Sequence, residues 1–427
     1  MREIKILIGR HYGLEATHVT SLVLDNILPI LRTRFKVKII WFFYLPERVK
    51  EVSISKSDTE IIDIHDFNNA LEALEKVKPD LVLDNEFPSL MDLAIDNAAK
   101  HLNIPVLIKV NSDNELKITK RQLFTNFIPS FFHSLMPYEK NGKKKFMKRG
   151  RFFIYKYMFL LKTLKAINMN FFKIIHYFFI VLNWHFSYHI PFIDRRFVFT
   201  LHYLENETLL KKMLKVGIPK SNLIVTGNPM FDPLFKKFMH KESYPPTGRI
   251  RILFFPMQYY ESGIWSKKQR DYAITEIVKI ITKYKNKFSL QVKLHPTTQV
   301  YEDYSSLIHK IDPSVKIHQK GSIIDYLDET DVFISLVPIS SAGIFPLIAH
   351  KPLVLCNFFN YQNESFLKSG LAVECKNPED LIKLVETSLS TKNVSKEKID
   401  DYIKEFLYKP DGRASERLCQ GIINLLK

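Results

Sequence analysis

Cysteine is scarce in this chain. Among 427 residues only Cys356, Cys375 and Cys419 carry thiols. They make no Cys-x-x-Cys pair and no spacing suited to zinc, so neither disulfides nor a structural zinc site organises the fold. Sparse, unpaired cysteine fits a reducing cytoplasm. No secretory leader is expected either. The start, MREIKILIGRHYG, has one short apolar run followed at once by polar residues, and it reads as a first strand. The expected setting is the cytoplasm.

Acidic residues are absent from one long segment. Lys140–Ile193 holds eleven Lys/Arg and no Asp or Glu. The chain as a whole carries +17, from 62 basic and 45 acidic residues; without those eleven, 51 against 45 leaves +6. The positive excess therefore belongs to one segment, and it suits an acidic partner or an anionic surface. Residues 152–193 add fourteen Phe, Tyr or Trp. Ile174–Ile193 is free of charged side chains and long enough to span a bilayer. Its His176, His185, His189, Asn183 and Pro191 make it a poor spanning helix.

Such a mixture of lysine and aromatics suits an interfacial helix on an anionic membrane. A helical insertion packed on the N-terminal domain, with solvated lysines, accounts for the aromatic part equally well. The run Lys143-Lys144-Lys145, with Lys148, Arg149 and Arg151, favours the membrane. No nucleic-acid-binding motif occurs, so no nucleic-acid partner is expected. No Asp-x-Asp is placed to hold a metal, and Asp400-Asp401 falls in a terminal helix. The expectation is a metal-independent reaction without a cofactor.

What the sequence does contain is an α/β rhythm. Length favours two domains, and 46% apolar residues can fill two cores. Strands are expected at Ile4–Ile8, Val37–Tyr44, Glu60–Ile64, Asp80–Asp84 and Pro105–Val110. Helices are expected over His18–Leu31, Phe67–Val77 and Leu90–Leu102. The rhythm stops over 115–193. It resumes with strands at Arg196–Thr200, Leu223–Thr226, Arg251–Phe255, Leu290–Leu294, Val315–His318, Val332–Leu336 and Leu353–Asn357. Helices are read over Asn206–Val216, Lys268–Tyr284 and Ile323–Asp328, from Ala342, and through Val394–Lys427. Alternation of this kind predicts two doubly wound, Rossmann-like domains facing a cleft. The expected division is 1–205, carrying the insertion 115–193, then 206–400, then a terminal helix over 401–427.

In open α/β sheets ligands sit at the carboxyl ends of strands. Lys293-Leu294-His295-Pro296 follows one strand directly. A histidine there can donate to a phosphate or sugar oxygen, although an isolated His-Pro is more often a plain surface histidine. One βα unit later, Val337-Pro338-Ile339-Ser340-Ser341-Ala342-Gly343 leaves a strand and opens a helix. Paired hydroxyls and free N–H groups at such a point form an anion site, or simply a serine N-cap. Together the two are more specific than either alone.

These residues carry a resemblance. Lys293–Pro296, Asp331–Gly343 with Lys351-Pro352, and Val225-Thr226-Gly227-Asn228-Pro229 resemble the GT-B glycosyltransferase superfamily. The branch is that of UDP-N-acetylglucosamine 2-epimerases and CDP-glycerol glycerophosphotransferases. Asp411-Gly412-Arg413-Ala414-Ser415-Glu416-Arg417 resembles the tail of that branch. The resemblance covers 196–427, and layout alone supports it before that. It implies a GT-B fold and a nucleotide-activated donor bound by Asn228, Gln258, Lys293, His295, Ser340, Ser341 and Gly343. It also implies an acceptor base from the N-terminal domain, for which His11, Glu15 and Glu86 are the candidates, with Asp84 and Asp113 also considered.

Two departures bear on the chemistry. An epimerase would show His-Arg and Glu-Asn in the loop that here reads Phe255-Pro256-Met257-Gln258-Tyr259-Tyr260-Glu261. It would also carry acids after the serine turn, where this chain has Ile344-Phe345-Pro346. Transfer is thus expected over epimerisation. The expected protein is a peripheral enzyme of the cytoplasmic membrane face that builds a cell-surface polysaccharide or glycolipid. Its partners would be a nucleotide-sugar donor, a glycan or lipid-linked acceptor, and an anionic membrane surface met through 143–193. The alternatives are a non-hydrolysing UDP-sugar 2-epimerase and a catalytically inactive membrane-docked binding protein.

Overall fold

The structure, a computed structural model, describes residues 1–10, 18–43, 58–84, 90–110, 137–140, 143–146, 148–175, 177, 201–215, 217–238, 248–261, 264–295, 299–321, 323–337, 341–361, 365–390 and 396–427. They form two compact units. The first takes the described residues from 1 to 110, 137 to 232 and 405 to 427, and the second takes those from 233 to 404.

The first unit is built on a parallel sheet. Its strands are β1 (Glu3–Arg10), β2 (Lys36–Phe43), β3 (Thr59–Asp63), β4 (Leu81–Asp84), β5 (Val106–Val110), β8 (Leu201–Leu204) and β9 (Leu223–Val225). Their order is β3-β2-β1-β4-β5-β8-β9, and every described pairing is parallel. Leu81–Asp84 is buried throughout, as expected for a strand covered on both faces. A separate antiparallel pair joins β6 (Pro137–Lys140) to β7 (Lys143–Phe146). The sequence reading expected no strands there.

Helices α1 (His18–Leu31), α2 (Ala70–Val77), α3 (Leu90–His101), α4 (Lys148–Ala166) and α5 (Glu207–Lys215) belong to this unit. Local chemistry sets the ends of α2. The Asn69 side chain accepts from Glu72 N–H, and Lys78 closes the helix with φ of 53° just before Pro79. The basic, aromatic segment gives α4, and α4 packs on α2 and α3. Phe159, Leu160 and Leu164 are buried in the same core as Leu74, Leu93 and Ile95. Thr163 Oγ accepts from the Ala70 N–H at 2.9 Å and donates to the Phe159 carbonyl at 2.8 Å. Over its described side chains, then, this helix is an insertion fastened to the first unit.

α6 (Asp232–Phe238) carries the chain into the second unit. There a parallel sheet has the order β12-β11-β10-β13-β14-β15. Its strands are β10 (Ile250–Phe255), β11 (Phe288–Lys293), β12 (Lys316–His318), β13 (Val332–Leu336), β14 (Leu353–Cys356) and β15 (Val373–Cys375). α7 (Lys267–Lys283) opens on a capping box between Ser266 and Gln269. It is followed by α8 (Tyr301–His309), α9 (Ile344–Ile348), α10 (Ser365–Lys368), α11 (Leu381–Ser390) and α12 (Lys396–Phe406). Ile323–Tyr326, read as an α-helix, is a 3-10 turn.

The chain then returns to the first unit as α13 (Ala414–Leu425), which packs on α1. The expected boundary at 205 is corrected here. Leu204 pairs with Val225, which keeps 206–232 with the first sheet. The continuous terminal helix is also corrected. Tyr408 and Gly412 adopt φ of 68° and 65° on either side of Pro410 and split it in two.

Candidate functional site

The strand order of the second unit reverses at β10. The chain runs from β10 through β11 to β12 on one side, then returns to place β13 on the other. The carboxyl ends of β10 and β13 are therefore where a ligand crevice forms in such a sheet. Pro256–Tyr259 leaves β10 at this point, and Val337 leaves β13. Gln258, half-buried, lies in the first of these turns. Ser341–Gly343 forms a 3-10 turn leading into α9. Ser340 lies outside the described residues, and of Ser341 the backbone alone is described. Gly343 and every residue of α9 are buried. Ile344-Phe345-Pro346, the positions where acids are lacking, thus face the core.

His295 stands one strand over, beyond β11, with its side chain exposed. Its backbone is held tightly. His295 N–H donates to Gln299 Oε1 at 2.6 Å, and its carbonyl accepts from Gln319 Nε2 at 3.3 Å. Gln299 is buried and acts as a hub. Its Nε2 donates to the Pro256 carbonyl and to Tyr304 OH at 3.0 Å, and its own carbonyl accepts from Gln319 Nε2 at 2.6 Å. The Gln299 amide thereby joins the loops after β10 and β11, and its backbone carbonyl adds the loop after β12. Tyr304 OH donates in turn to Glu261 Oε1 at 2.8 Å. Burial raises the Glu261 carboxyl, with the Tyr304 bond pulling the other way. The Arg270 guanidinium lies 4.5 Å from the Tyr260 ring and 5.1 Å from the Tyr304 ring.

Lys293 is the cation expected beside the donor. It is buried, and its Nζ donates to the carbonyls of Leu294 at 3.1 Å and Gln319 at 2.8 Å. Burial lowers its ammonium to about 8, against the pull of Asp325. In this arrangement Lys293 braces the turn that presents His295. Gln299, Tyr304, Glu261 and Gln319 were not singled out in the sequence, because their link is made by folding.

The first unit has its own reversal, between β1 and β4. Beside the carboxyl ends of these strands sits a buried charge cluster. Asp84 ends β4; Asp92 and Asp96, one turn apart, come from α3; Lys156 comes from α4. Gly9 of β1 makes room for it, since a Cβ there would lie 2.6 Å from Asp92 Oδ1. Asp96 is raised well above the ordinary carboxylate range by burial first, then by the charges of Asp84 and Asp92 and a hydrogen bond to Asp84. Burial lowers Lys156 to about 7, with Asp92 opposing. His11, Glu15 and Glu86 lie outside the described residues, in the stretches that continue directly from β1 and β4; Asp113 lies outside them too. Among the described residues, no group of three or more His, Cys, Asp or Glu is arranged to hold a metal ion.

Asn228 is grouped with the first unit, and the other expected donor residues belong to the second. Its Nδ2 donates to Glu205 Oε1 at 2.6 Å, and its Oδ1 accepts from Met230 N–H at 3.1 Å. The Thr-Gly-Asn-Pro segment and the Asp411–Arg417 tail meet in the same place. Arg417 Nε donates to the Thr226 carbonyl at 2.8 Å while its guanidinium pairs with Asp411. Gly227, with φ of 78°, passes so near Leu407 and Ala414 that a Cβ would lie 3.3 Å from the Leu407 carbonyl oxygen.

No family model matches the chain, and no curated protein matches it. Solved structures do. The UDP-GlcNAc 2-epimerase from Methanocaldococcus jannaschii matches with a TM-score of 0.55 at 14% identity, over 99% of this chain and 100% of that one. The glycosyltransferase of kitacinnamycin matches with 0.54 at 12% identity, over 100% of both. The calicheamicin glycosyltransferase matches with 0.53 at 12% identity, over 100% of this chain and 99% of that one. With two parallel, helix-flanked sheets matched along essentially its whole length, the chain has the GT-B fold.

Proposed function

We propose that this chain is a nucleotide-sugar-dependent transferase that works without a metal at a cytoplasmic membrane face, building a cell-surface polysaccharide or glycolipid. The observation that carries the reading is the braced His295 turn beside the β10–β13 reversal. Gln299 and Gln319 fix its backbone, while the imidazole itself is exposed. A preset donor of this kind suits the oxygens of a diphosphate leaving group. In this reading Ser340, Ser341 and Gly343 are the further residues assigned to the donor, from the segment that follows β13. Solved relatives of the same fold include an epimerase bound to UDP-GlcNAc and UDP, which supports a nucleotide-sugar ligand.

The acceptor side falls to the first unit. His11, Glu15 and Glu86 remain the proposed bases, with Asp84, which ends β4, as a further candidate. The epimerase reading has its own support in the solved epimerases. Against it stand the core-facing Ile344-Phe345-Pro346 and a loop without the expected His-Arg and Glu-Asn residues.

Product analysis separates the two. The chain is incubated with UDP-GlcNAc and other UDP-, CDP- and GDP-donors, with and without glycan or lipid-linked acceptors. Transfer requires an acceptor for turnover beyond slow hydrolysis, and EDTA leaves the rate unchanged. A 2-epimer formed from UDP-GlcNAc alone overturns the transferase reading and establishes the other.

A further inference from the structure

The helical stretch over 171–175, just beyond α4, displays apolar side chains to solvent. Phe171 is 68% exposed and Phe172 79% exposed, with their rings 6.2 Å apart, and Ile175 is exposed beside them. The display is held in place. Asn170 Oδ1 accepts from the Phe172 N–H at 2.9 Å. On the opposite side Ile174 packs on the core and Tyr177 is buried, its hydroxyl donating to Asn97 Oδ1 at 3.1 Å. The preceding helix has two faces as well. Phe159, Leu160, Thr163 and Leu164 turn inward, while Met158, Lys162 and Lys165 face solvent. Lys173 is exposed between the phenylalanines and Ile175.

We propose that Phe171 and Phe172 form a wedge that enters the headgroup–acyl boundary of an anionic bilayer, with Lys162, Lys165 and Lys173 pairing with lipid headgroups. Charge complementarity selects this occupant: Lys162, Lys165 and Lys173 are exposed, and Lys140–Ile193 contains no acid. Lysine beside exposed phenylalanine on a helical stretch is the composition of an interfacial anchor. The wedge also relocates the contact. On α4, Phe159 is buried in the core with Tyr155 and Tyr157 packed against it, and no helix among the described residues is long and apolar enough to cross a membrane. The proposal rests on the membrane-face part of the functional reading and is independent of which reaction is run.

The test is co-sedimentation of the full chain, without donor, with vesicles of phosphatidylcholine alone or mixed with phosphatidylglycerol. The expected result is binding to the mixed vesicles, weakened by salt. Phe171→Ser with Phe172→Ser lowers partitioning about tenfold or more, and Lys162→Glu with Lys165→Glu lowers it as well. Both variants keep the wild-type melting temperature. Equal binding to both vesicle types, no binding, or unchanged partitioning of the phenylalanine variant overturns the proposal. So does concentration-dependent self-association that the phenylalanine variant abolishes, because the occupant is then a second copy. Donor binding is measured on the same samples, so loss of the nucleotide reading with vesicle binding intact is told apart from loss of the wedge.

Discussion

The Ser415 hydroxyl donates to Asp232 Oδ2 at 2.6 Å, and the N–H groups of Ala414 and Ser415 reach the same carboxylate at 3.0 and 2.7 Å. Asp232 opens α6, and Ala414 opens α13, so one buried side chain joins two helix starts that are distant in sequence. A carboxylate at a helix N-terminus satisfies N–H groups that otherwise have no partner. Asp232→Ala is expected to cost about 2–4 kcal/mol, because three charge-assisted bonds are lost in a buried place. Urea unfolding checks it, and a change within error shows that the junction contributes little.

The packing of Asp92 against β1 gives a second expectation. A Cβ at position 9 would lie 2.6 Å from Asp92 Oδ1 and 3.3 Å from Ile95 Cδ1. Gly9→Ala should therefore destabilise the chain by about 1–3 kcal/mol, the usual cost of overpacking. Thermal melting reads this directly, and a neutral substitution shows that α3 can shift.

Asp96 gives a pH dependence with a definite sign. Its folded-state value is raised well above 3.8, so the folded chain keeps a proton that the unfolded chain releases. That contribution is fully present below about pH 4 and is lost as pH rises through the folded value. Lys156 acts oppositely: lowered to about 7, it makes the fold gain stability between pH 7 and the ordinary lysine range. Asp96→Asn keeps a hydrogen-bond donor toward Asp84 and removes the titration. The variant should melt above wild type at pH 7, and the gap should close near pH 4. Parallel melting curves across that range contradict the assignment.

Gln299 ties the loops after β10, β11 and β12 together. Gln299→Leu preserves volume but strands the His295 N–H and the Pro256 carbonyl. The expected loss is about 2–4 kcal/mol of stability, with weaker donor binding. Differential scanning calorimetry beside nucleotide titration tests both parts, and an unaffected affinity shows that the turn does not need its brace.

Much of the architecture was legible because buried parallel strands are written as apolar runs with at most one polar residue. Ile4–Ile8, Val332–Leu336 and Leu353–Cys356 announce themselves this way. β15 did not, since Val373–Cys375 is three residues long and mostly half-buried. The pair β6–β7 was hidden by its charge, because Lys143-Lys144-Lys145 reads as a solvated patch. In the candidate site, His295 and the serine turn were visible from their place after strands. The buried partners were not: nothing local marks Lys156 as a buried lysine, or Gln299 as the hub four residues after His295. Those roles arise from chain segments that meet only on folding.

The most direct test of the central claim is calorimetric titration of the chain with UDP-, CDP- and GDP-activated donors, on wild type and His295→Ala. The account predicts saturable binding of at least one donor. It also predicts a loss of about tenfold or more in affinity for the variant, the worth of one hydrogen bond to a charged oxygen, with no change in melting temperature because the imidazole is exposed. Absence of binding for every donor, or equal affinity in the two proteins, would contradict it.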